Sequence, residues 1–473
     1  MIKQFLDFSG SLQDRTTRFL RPVNELTRAI NVDCSKNIGG ITKRLGYSRF
    51  GDTVSSGQTI SGLHSYYRLN GDGYLLATET SNLVYGTGTT WTSISAALSS
   101  GTNYEFATFI DEVFICGYNA SARTFDTVRN LDNLTLSTSN NLSGASNAKI
   151  PIVFRQRLYL IGLSGRRSAF RFSGVPASSG TTISWSSDDI EEVRTDDGDE
   201  LVGAGELANR LVLFKQNSMH EWNESTISQV AQRGTTSHRS IVSTGDQLLF
   251  FSRSKDEKGF YSYVGGEPRL VSGKIQEWID GITDTGFPNI VGWTLGDKAI
   301  WYVGTITKDG ETFSNCGVVY NFRLNTWCIY QYADAFRSRT TFIVSSVERP
   351  YLGTTDGDVH QMAITGDTVY TDNDDAIAAL FRTTSLTLDS VNDKKQISRS
   401  IFFAEQPQGL SFRARADGGN WQPLGQLTKT VDELSGVSVK GYYFEIEGSE
   451  SSANPPFIFE GFSLAAEVDT FFE

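Results

Sequence analysis

The sequence predicts an all-β protein, a β-propeller of six or seven blades followed by a C-terminal β-sandwich or jelly-roll-like domain. Three observations lead to this fold class. Glycine (45 residues) and aromatic residues (12 %) are abundant while charged residues make up 20 %, which favours short strands joined by tight turns. A unit of turn, apolar run and second strand recurs along much of the chain. The recurrence stops near residues 372–375, where a different strand pattern begins.

The recurring unit is a turn dipeptide, an apolar run of about five residues and then another strand. The runs begin at residues 74, 113, 158, 211, 248, 299 and 351, and the turns before them are 37 to 53 residues apart, which brackets the length of a propeller blade. The weakest copy has Arg349-Pro350 as its turn. Stacking blades around an axis buries both apolar faces of each blade, so the runs are expected to form the core. A chain of β-sandwich domains is the alternative fold.

The loss of the repeat places the domain boundaries. We predict an N-terminal arm leading into the propeller over residues 1–56, the propeller over 57–375 and the C-terminal β-domain over 376–473. The last part contains strand-like alternation, clearest at 411–416. Short helices are expected only at 24–29 and 273–280.

The distribution of charge limits the classes of function. The formal net charge is −12, but residues 1–50 carry nine Lys or Arg against four Asp or Glu, so the remainder is −17. Such an acidic body argues against stable wrapping of nucleic acid. No apolar run of about 18 residues and no leader pattern is present, so membrane insertion and classical secretion are unsupported. The four cysteines form no C-x-x-C and are expected as buried thiols of a protein folded in a reducing cytoplasm.

The sequence lacks the common motifs of nucleotide-binding, metal-binding and nucleophilic catalytic sites. It has no phosphate-binding glycine loop, no histidine pair with metal-ligand spacing and no nucleophile elbow, so we expect no enzyme, no catalytic residue, no cofactor and no metal site. The acidic stretches do not match a calcium-binding loop and are expected as solvated loops between blades. Paired carboxylates for glycoside hydrolysis remain an open alternative.

A short element near the N-terminus indicates a family. Asn-Val-Asp at 31–33 and then Gly-Ile-Thr-Lys-Arg-Leu-Gly-Tyr at 40–47 precede the propeller repeats. This order of features resembles the tail nozzle, or packaged-DNA stabilisation, proteins of short-tailed bacteriophages. The order of features is similar to that family over most of the chain. Only the part from Lys43 to Tyr47 resembles a motif.

The resemblance implies a structural virion protein located in the virion tail and assembled in the host cytoplasm. In that family a homo-oligomeric ring, a hexamer, lies below the head-to-tail adaptor protein, near other tail proteins such as fibre, spike or needle. The ring extends the DNA channel, helps to retain packaged DNA and conducts it during ejection, in transient contact with the passing genome. The competing functions are a glycan-binding propeller, lectin or adhesin, and a propeller glycosidase.

Two sets of residues follow from this expectation. The predicted docking segment consists of Lys43, Arg44, Gly46 and Tyr47. The predicted acidic channel loops contain Asp188, Asp189, Asp196, Asp197, Asp372, Asp374 and Asp375. The basic N-terminal segment, with Arg15, Arg18 and Arg21, either docks onto a partner or lies as a strand along its own propeller.

Overall fold

The computed structural model describes residues 2–35, 38–176, 182–253, 257–434 and 439–468. It confirms the predicted class, because the chain is nearly all strand and is arranged as a β-propeller with a second β-domain. Within these residues, helix is confined to α1 (Gln276–Asp280) and to 3₁₀ segments at Arg18–Leu20, His238–Ser240, Ser272–Ile275 and Asp284–Asn289. None of these helices is long and apolar enough to cross a membrane.

The chain begins with six short strands that join sheets formed much later in the sequence. They are β1 (Ile2–Phe5), β2 (Ser11–Leu12), β3 (Glu25–Ile30), β4 (Val32–Asp33), β5 (Ile41–Lys43) and β6 (Tyr47–Arg49).

Five antiparallel sheets then follow one another along the chain as blades 1 to 5. Blade 1 comprises β7 (Ile60–Tyr67), β8 (Gly73–Glu79), β9 (Asn82–Gly86) and β10 (Trp91–Ser95). Blade 2 comprises β11 (Asn103–Phe109), β12 (Glu112–Asn119), β13 (Thr124–Phe125), β14 (Arg129–Asp132) and β15 (Thr135–Ser137). Blade 3 comprises β16 (Ala148–Phe154), β17 (Arg157–Leu163), β18 (Arg166–Phe172) and β19 (Ile190–Glu192). Blade 4 comprises β20 (Leu201–Leu207), β21 (Arg210–Lys215), β22 (Met219–Trp222) and β23 (Ile227–Ala231), and blade 5 comprises β24 (Val242–Ser243), β25 (Leu248–Arg253), β26 (Lys258–Tyr263) and β27 (Arg269–Leu270).

The last two blades connect the propeller to the second domain. Blade 6 comprises β28 (Val291–Leu295), β29 (Lys298–Lys308), β30 (Glu311–Asn321) and β31 (Thr326–Gln331), and β31 pairs with β3 so that the sheet continues to ten strands. Blade 7 comprises β32 (Phe336–Val344), β33 (Val347–Thr354) and β34 (Val359–Met362), and the N-terminal β6 completes it by pairing with β34. Blades 1 to 5 and blade 7 are therefore separate sheets, whereas the sheet of blade 6 is shared with the second domain.

Apolar clusters between successive sheets hold the propeller together. Blade 1 packs on blade 2 through Leu76 and Val113, and the same kind of contact joins each further pair up to blades 4 and 5. Blade 7 packs on blade 1 through Tyr351 and Ile60, which closes the ring. The predicted apolar runs are the second strands of the blades, so their expected place in the core is confirmed.

The hairpin turns explain why the repeat could be recognised. At Asp111, Gln156 and Asn209 the backbone has positive φ (67°, 61° and 67°), as tight two-residue hairpins require. The weakest copy was placed wrongly: its turn lies at Ser345-Ser346 (φ 51° and 64°), and Pro350 lies within β33.

The second domain is a sandwich of two sheets. After the hairpin β35 (Thr371–Asp372) and β36 (Asp375–Ala376), its strands are β37 (Ala379–Thr383), β38 (Lys395–Gln406), β39 (Ser411–Ala416), β40 (Gln422–Gln426), β41 (Val431–Glu433), β42 (Lys440–Gly441), β43 (Phe444–Glu450) and β44 (Ile458–Val468). One sheet has the order β4-β5-β44-β38-β41, with β1 also on β44, and the other is the β3-β37-β43-β39-β40 part of the ten-stranded sheet. Aromatic rings fill the space between them, such as Phe402 on Phe412 at 4.1 Å.

The N-terminal arm differs from the prediction. Strands β1 to β5 belong to the sandwich, and only β6 belongs to the propeller. The helix expected at 24–29 is strand β3, whereas the one expected at 273–280 is present as α1.

Candidate functional site

The predicted docking segment lies in the junction between the two domains. The Lys43 ammonium is fully buried and donates to Glu450 at 2.6 Å. Arg44, also buried, donates to both carboxylate oxygens of Asp372 at 2.7 and 2.5 Å. Burial alone lowers the pKa of Arg44, but the Asp372 carboxylate raises it by more, so the guanidinium stays charged. The Lys43–Glu450 pair joins β5 to β43 within the sandwich, whereas the Arg44–Asp372 pair joins the end of β5 to the sheet of blade 7.

The other two residues of the segment are equally enclosed. A Cβ at Gly46 would overlap the carbonyl oxygen of Thr371, so the close approach of the two backbones requires glycine. Tyr47 is buried, and its hydroxyl donates to Asp334 at 2.9 Å. Burial, followed by the nearby carboxylates of Asp372 and Asp334, raises the pKa of Tyr47. The prediction that this segment forms a docking surface is therefore wrong, because none of its side chains reaches the protein surface.

The first set of predicted channel residues lies at blade 3. Asp188 and Asp189 directly precede β19, the outer strand of blade 3, and Asp196 and Asp197 lie in the loop that leads to blade 4. Asp188 and Asp196 are exposed, whereas Asp197 accepts hydrogen bonds from the buried Lys215 ammonium at 2.8 and 2.9 Å.

The second set lies at the edge of blade 7. Asp374 and Asp375 are exposed in the hairpin of β35 and β36. Asp372, by contrast, is buried against Arg44, so its prediction as a channel residue is wrong. Blades 1 and 2 separate blade 3 from blade 7 on the shorter path around the ring, so the structure does not bring the two acidic sets together.

An exposed basic loop, residues 15–23, was only partly recognised in the sequence. It contains three arginines and no carboxylate. Phe19, Leu20 and Val23 are 59 %, 76 % and 51 % exposed. Arginine and aromatic side chains grouped in this way are typical of protein interfaces.

Contacts with the rest of the chain hold this loop in place. The Arg21 guanidinium donates to the carbonyl oxygens of Asp14 and Thr16 at 3.2 and 2.9 Å. Arg18 donates to the Tyr443 hydroxyl and lies over its ring, and Phe19 packs edge-on against the same ring. The loop is thus presented in one shape, which lowers the entropy lost on binding.

An arginine that no sequence motif singles out closes the centre of the propeller. Arg239, in the 3₁₀ segment between blades 4 and 5, donates to the Glu105 carboxylate at 2.7 Å. It also donates to the carbonyl oxygens of Ser61, Tyr104 and Arg337 at 2.6, 2.9 and 2.6 Å. One side chain therefore links blades 1, 2 and 7 across the axis.

In the described parts of the chain, no group of three or more His, Cys, Asp and Glu residues is placed to hold a metal ion. Burial lowers the pKa of His64 and of His220 to about 4, so both imidazoles are neutral near pH 7.

Comparison with known proteins gives little beyond the fold. No family model and no curated protein matches the sequence. Among solved structures, one similar chain is PorZ, an essential bacterial surface component of the type-IX secretion system of Porphyromonas gingivalis, with 11 % identity and a TM-score of 0.38. The match covers 82 % of this chain and 48 % of PorZ, so the chain spans about half the length of that protein.

Proposed function

We propose that this protein is a structural virion component similar to the tail nozzle of short-tailed bacteriophages. In this proposal, copies of the chain form a ring that extends the head-to-tail DNA channel, helps to retain packaged DNA and conducts it during ejection. The observation that carries the proposal is the exposed basic loop, residues 15–23, on a chain whose net charge is −12. A fixed loop with arginines and uncovered apolar side chains fits attachment to another protein.

The buried junction supports the same function. The residues that carry the family resemblance, 40–47, supply two buried ion pairs, Lys43 with Glu450 within the sandwich and Arg44 with Asp372 where the sandwich meets blade 7. A subunit of a conduit under load needs its domains in a constant relative position, and such pairs define one geometry because any displacement leaves a buried charge uncompensated.

The basic loop, residues 15–23, is proposed to bind the head-to-tail adaptor. The complementary surface on the adaptor would be rich in carboxylates and would contain an apolar pocket. Replacing Arg18 by Glu and Phe19 by Asp in one variant should abolish binding, because like charges would meet in the contact and the aromatic anchor is lost. Val264→Asp is the matched control, since Val264 is 62 % exposed at the edge of blade 5. Adaptor binding and ring formation are measured by analytical ultracentrifugation and negative-stain imaging.

The conduit is proposed to have acidic and neutral walls, so that DNA slides without adhering. Changing Asp188, Asp189 and Asp196 together to Lys should raise the affinity for duplex DNA at low salt. A wild-type protein that binds duplex DNA tightly at physiological salt would contradict the conduit. A chain that stays monomeric both alone and with its adaptor would contradict the ring and favour the glycan-binding propeller.

A further inference from the structure

A cavity at the centre of the propeller is lined by hydrogen-bond donors. Its volume is about 300 Å³, and it lies among blades 4 to 7. The residues that line it include Arg339, His238, Ser243, Thr294 and Thr341. This cavity is separate from the basic loop and from the junction.

The arginines near the axis outnumber the carboxylates. Arg239, Arg337 and Arg339 approach one another around Glu105, and burial followed by Arg239 lowers the pKa of Arg337 to about 10. One further carboxylate, that of the exposed Glu206, is at the rim of the cavity. These partly buried side chains therefore carry excess positive charge, which a bound counter-charge would offset.

Arg239 and Arg339 differ in the number of hydrogen bonds that they donate within the protein. Arg239 donates to one carboxylate and three carbonyl oxygens, so its role is structural. Arg339 donates to the Ile241 carbonyl oxygen at 2.9 Å, and its buried Nε–H has no acceptor in the described parts of the chain. Arg339 therefore keeps hydrogen-bonding capacity that the described parts of the chain do not use.

Two aromatic rings lie beside the cavity. Trp293 lines the cavity, is only 3 % exposed, and its Nε1–H also has no acceptor among the described residues. His238 accepts a hydrogen bond at Nδ1 from the Ala204 amide at 3.4 Å, which leaves the proton of the neutral ring on Nε2. Burial lowers the pKa of His238, although Glu105 opposes this, so the ring is neutral near pH 7.

We propose that this cavity binds a small oxyanion, a carboxylate or a phosphate, with Arg339 as its main ligand. A guanidinium matches two oxygens of such an anion at once, and the surrounding hydroxyls can donate to the remaining oxygens. A ligand here would also supply the negative charge that the arginines around the axis lack.

The first measurement uses the full-length wild-type protein with inorganic phosphate, acetate and glucuronate, each titrated at constant ionic strength with chloride as the reference salt. Saturable binding, seen by calorimetry and by broadening of the ³¹P or ¹³C resonance of the anion, is expected for at least one oxyanion. Phosphate binding alone would assign a phosphate source, and glucuronate binding alone would assign a sugar acid. If no oxyanion binds in a saturable way up to tens of millimolar, the proposal fails.

Variants locate the binding. Arg339→Met should raise Kd about tenfold or more, because charged hydrogen bonds are lost, whereas Arg323→Met, at a 73 % exposed arginine in blade 6, should leave Kd unchanged. Glu206→Gln removes the repelling charge at the rim and should lower Kd about threefold. This exposed position keeps the test valid if Arg339→Met does not fold. Equal effects of Arg339→Met and Arg323→Met, or no tightening in Glu206→Gln, would overturn the assignment.

Discussion

The propeller blades and the sandwich are built from the same kind of strand but are assembled over different distances in the chain. Within blade 3, β16 pairs with β17 across a tight turn at Arg155 and Gln156. In the sandwich, β1 pairs with β44, so that Ile2 lies opposite Ala465. Blades 1 to 5 therefore depend on local pairing and the sandwich on the pairing of strands far apart in the sequence, which is entropically harder to reach. Disturbing one chain end should affect the two regions very differently.

The largest expected effect comes from deleting residues 1–12. The deletion removes the buried rings of Phe5 and Phe8, which pack on Phe462 at 5.0 and 6.3 Å, and each lost Phe costs about 3–5 kcal/mol. That loss is comparable with the whole stability of a typical domain, so the sandwich should unfold while the blades persist. Limited proteolysis with mass spectrometry should then find cuts within 379–468.

The exposed Leu20 provides the control for this deletion, since Leu20→Ala should leave the protease pattern unchanged. Equal protection of residues 379–468 in the deletion variant and the wild type would mean that the N-terminal strands are dispensable, and the comparison drawn above would be lost.

The next effect concerns the junction. Asp372→Asn leaves the Arg44 charge buried without a counter-charge and should lower the free energy of unfolding by about 3–5 kcal/mol in urea. The exposed pair of Arg166 and Glu192, 61 % and 46 % exposed, is the matched control, and Arg166→Met should cost at most about 1 kcal/mol. If both variants lose the same free energy, the junction is no more than a surface contact.

A smaller, pH-dependent effect is expected at Asp14, whose carboxylate accepts from the amides of Glu277 and Trp278 at 3.3 and 3.0 Å. Burial raises the pKa of Asp14 from 3.8 to about 6. Because the folded state then binds more protons than the unfolded state between these values, this group lowers stability as pH rises from about 4 to about 6. Asp14→Asn should not show this loss. Urea unfolding at pH 4, 5, 6 and 7 gives the difference, and parallel curves for the two proteins would contradict it.

The smallest effect concerns the cysteines, which are all buried, one in blade 2, two in blade 6 and one directly after β4. Burial raises the pKa of Cys316 to about 12 and raises that of Cys328 well above its usual range. The native protein should therefore react with thiol reagents far more slowly than the urea-unfolded protein. Rapid labelling of the native protein followed by mass spectrometry would reveal any thiol that opens locally.

The sequence was informative where pairing is local. The run at 158–161 and its turn at Gln156 define a hairpin by themselves, so the blades could be predicted. Arg44 was misinterpreted because its partner, Asp372, is 328 residues away and no local pattern links the two. The strand at 25–30 was taken for a helix for the same reason, since its pairing with β37 is absent from its local sequence. The donors around Arg339 come from several blades, and only the closed ring brings them together.

The contribution of the first strands to the sandwich has a consequence for synthesis on the ribosome. Strand β5 ends at Lys43, and its partner β44 begins about 400 residues later at Ile458. At 5–20 residues per second, β5 waits roughly 20 to 80 s for β44 to be translated. During that interval the edge of β5 that later pairs with β44 has no partner strand. A nascent chain that terminates before β44 lacks this partner, so its sandwich cannot form completely.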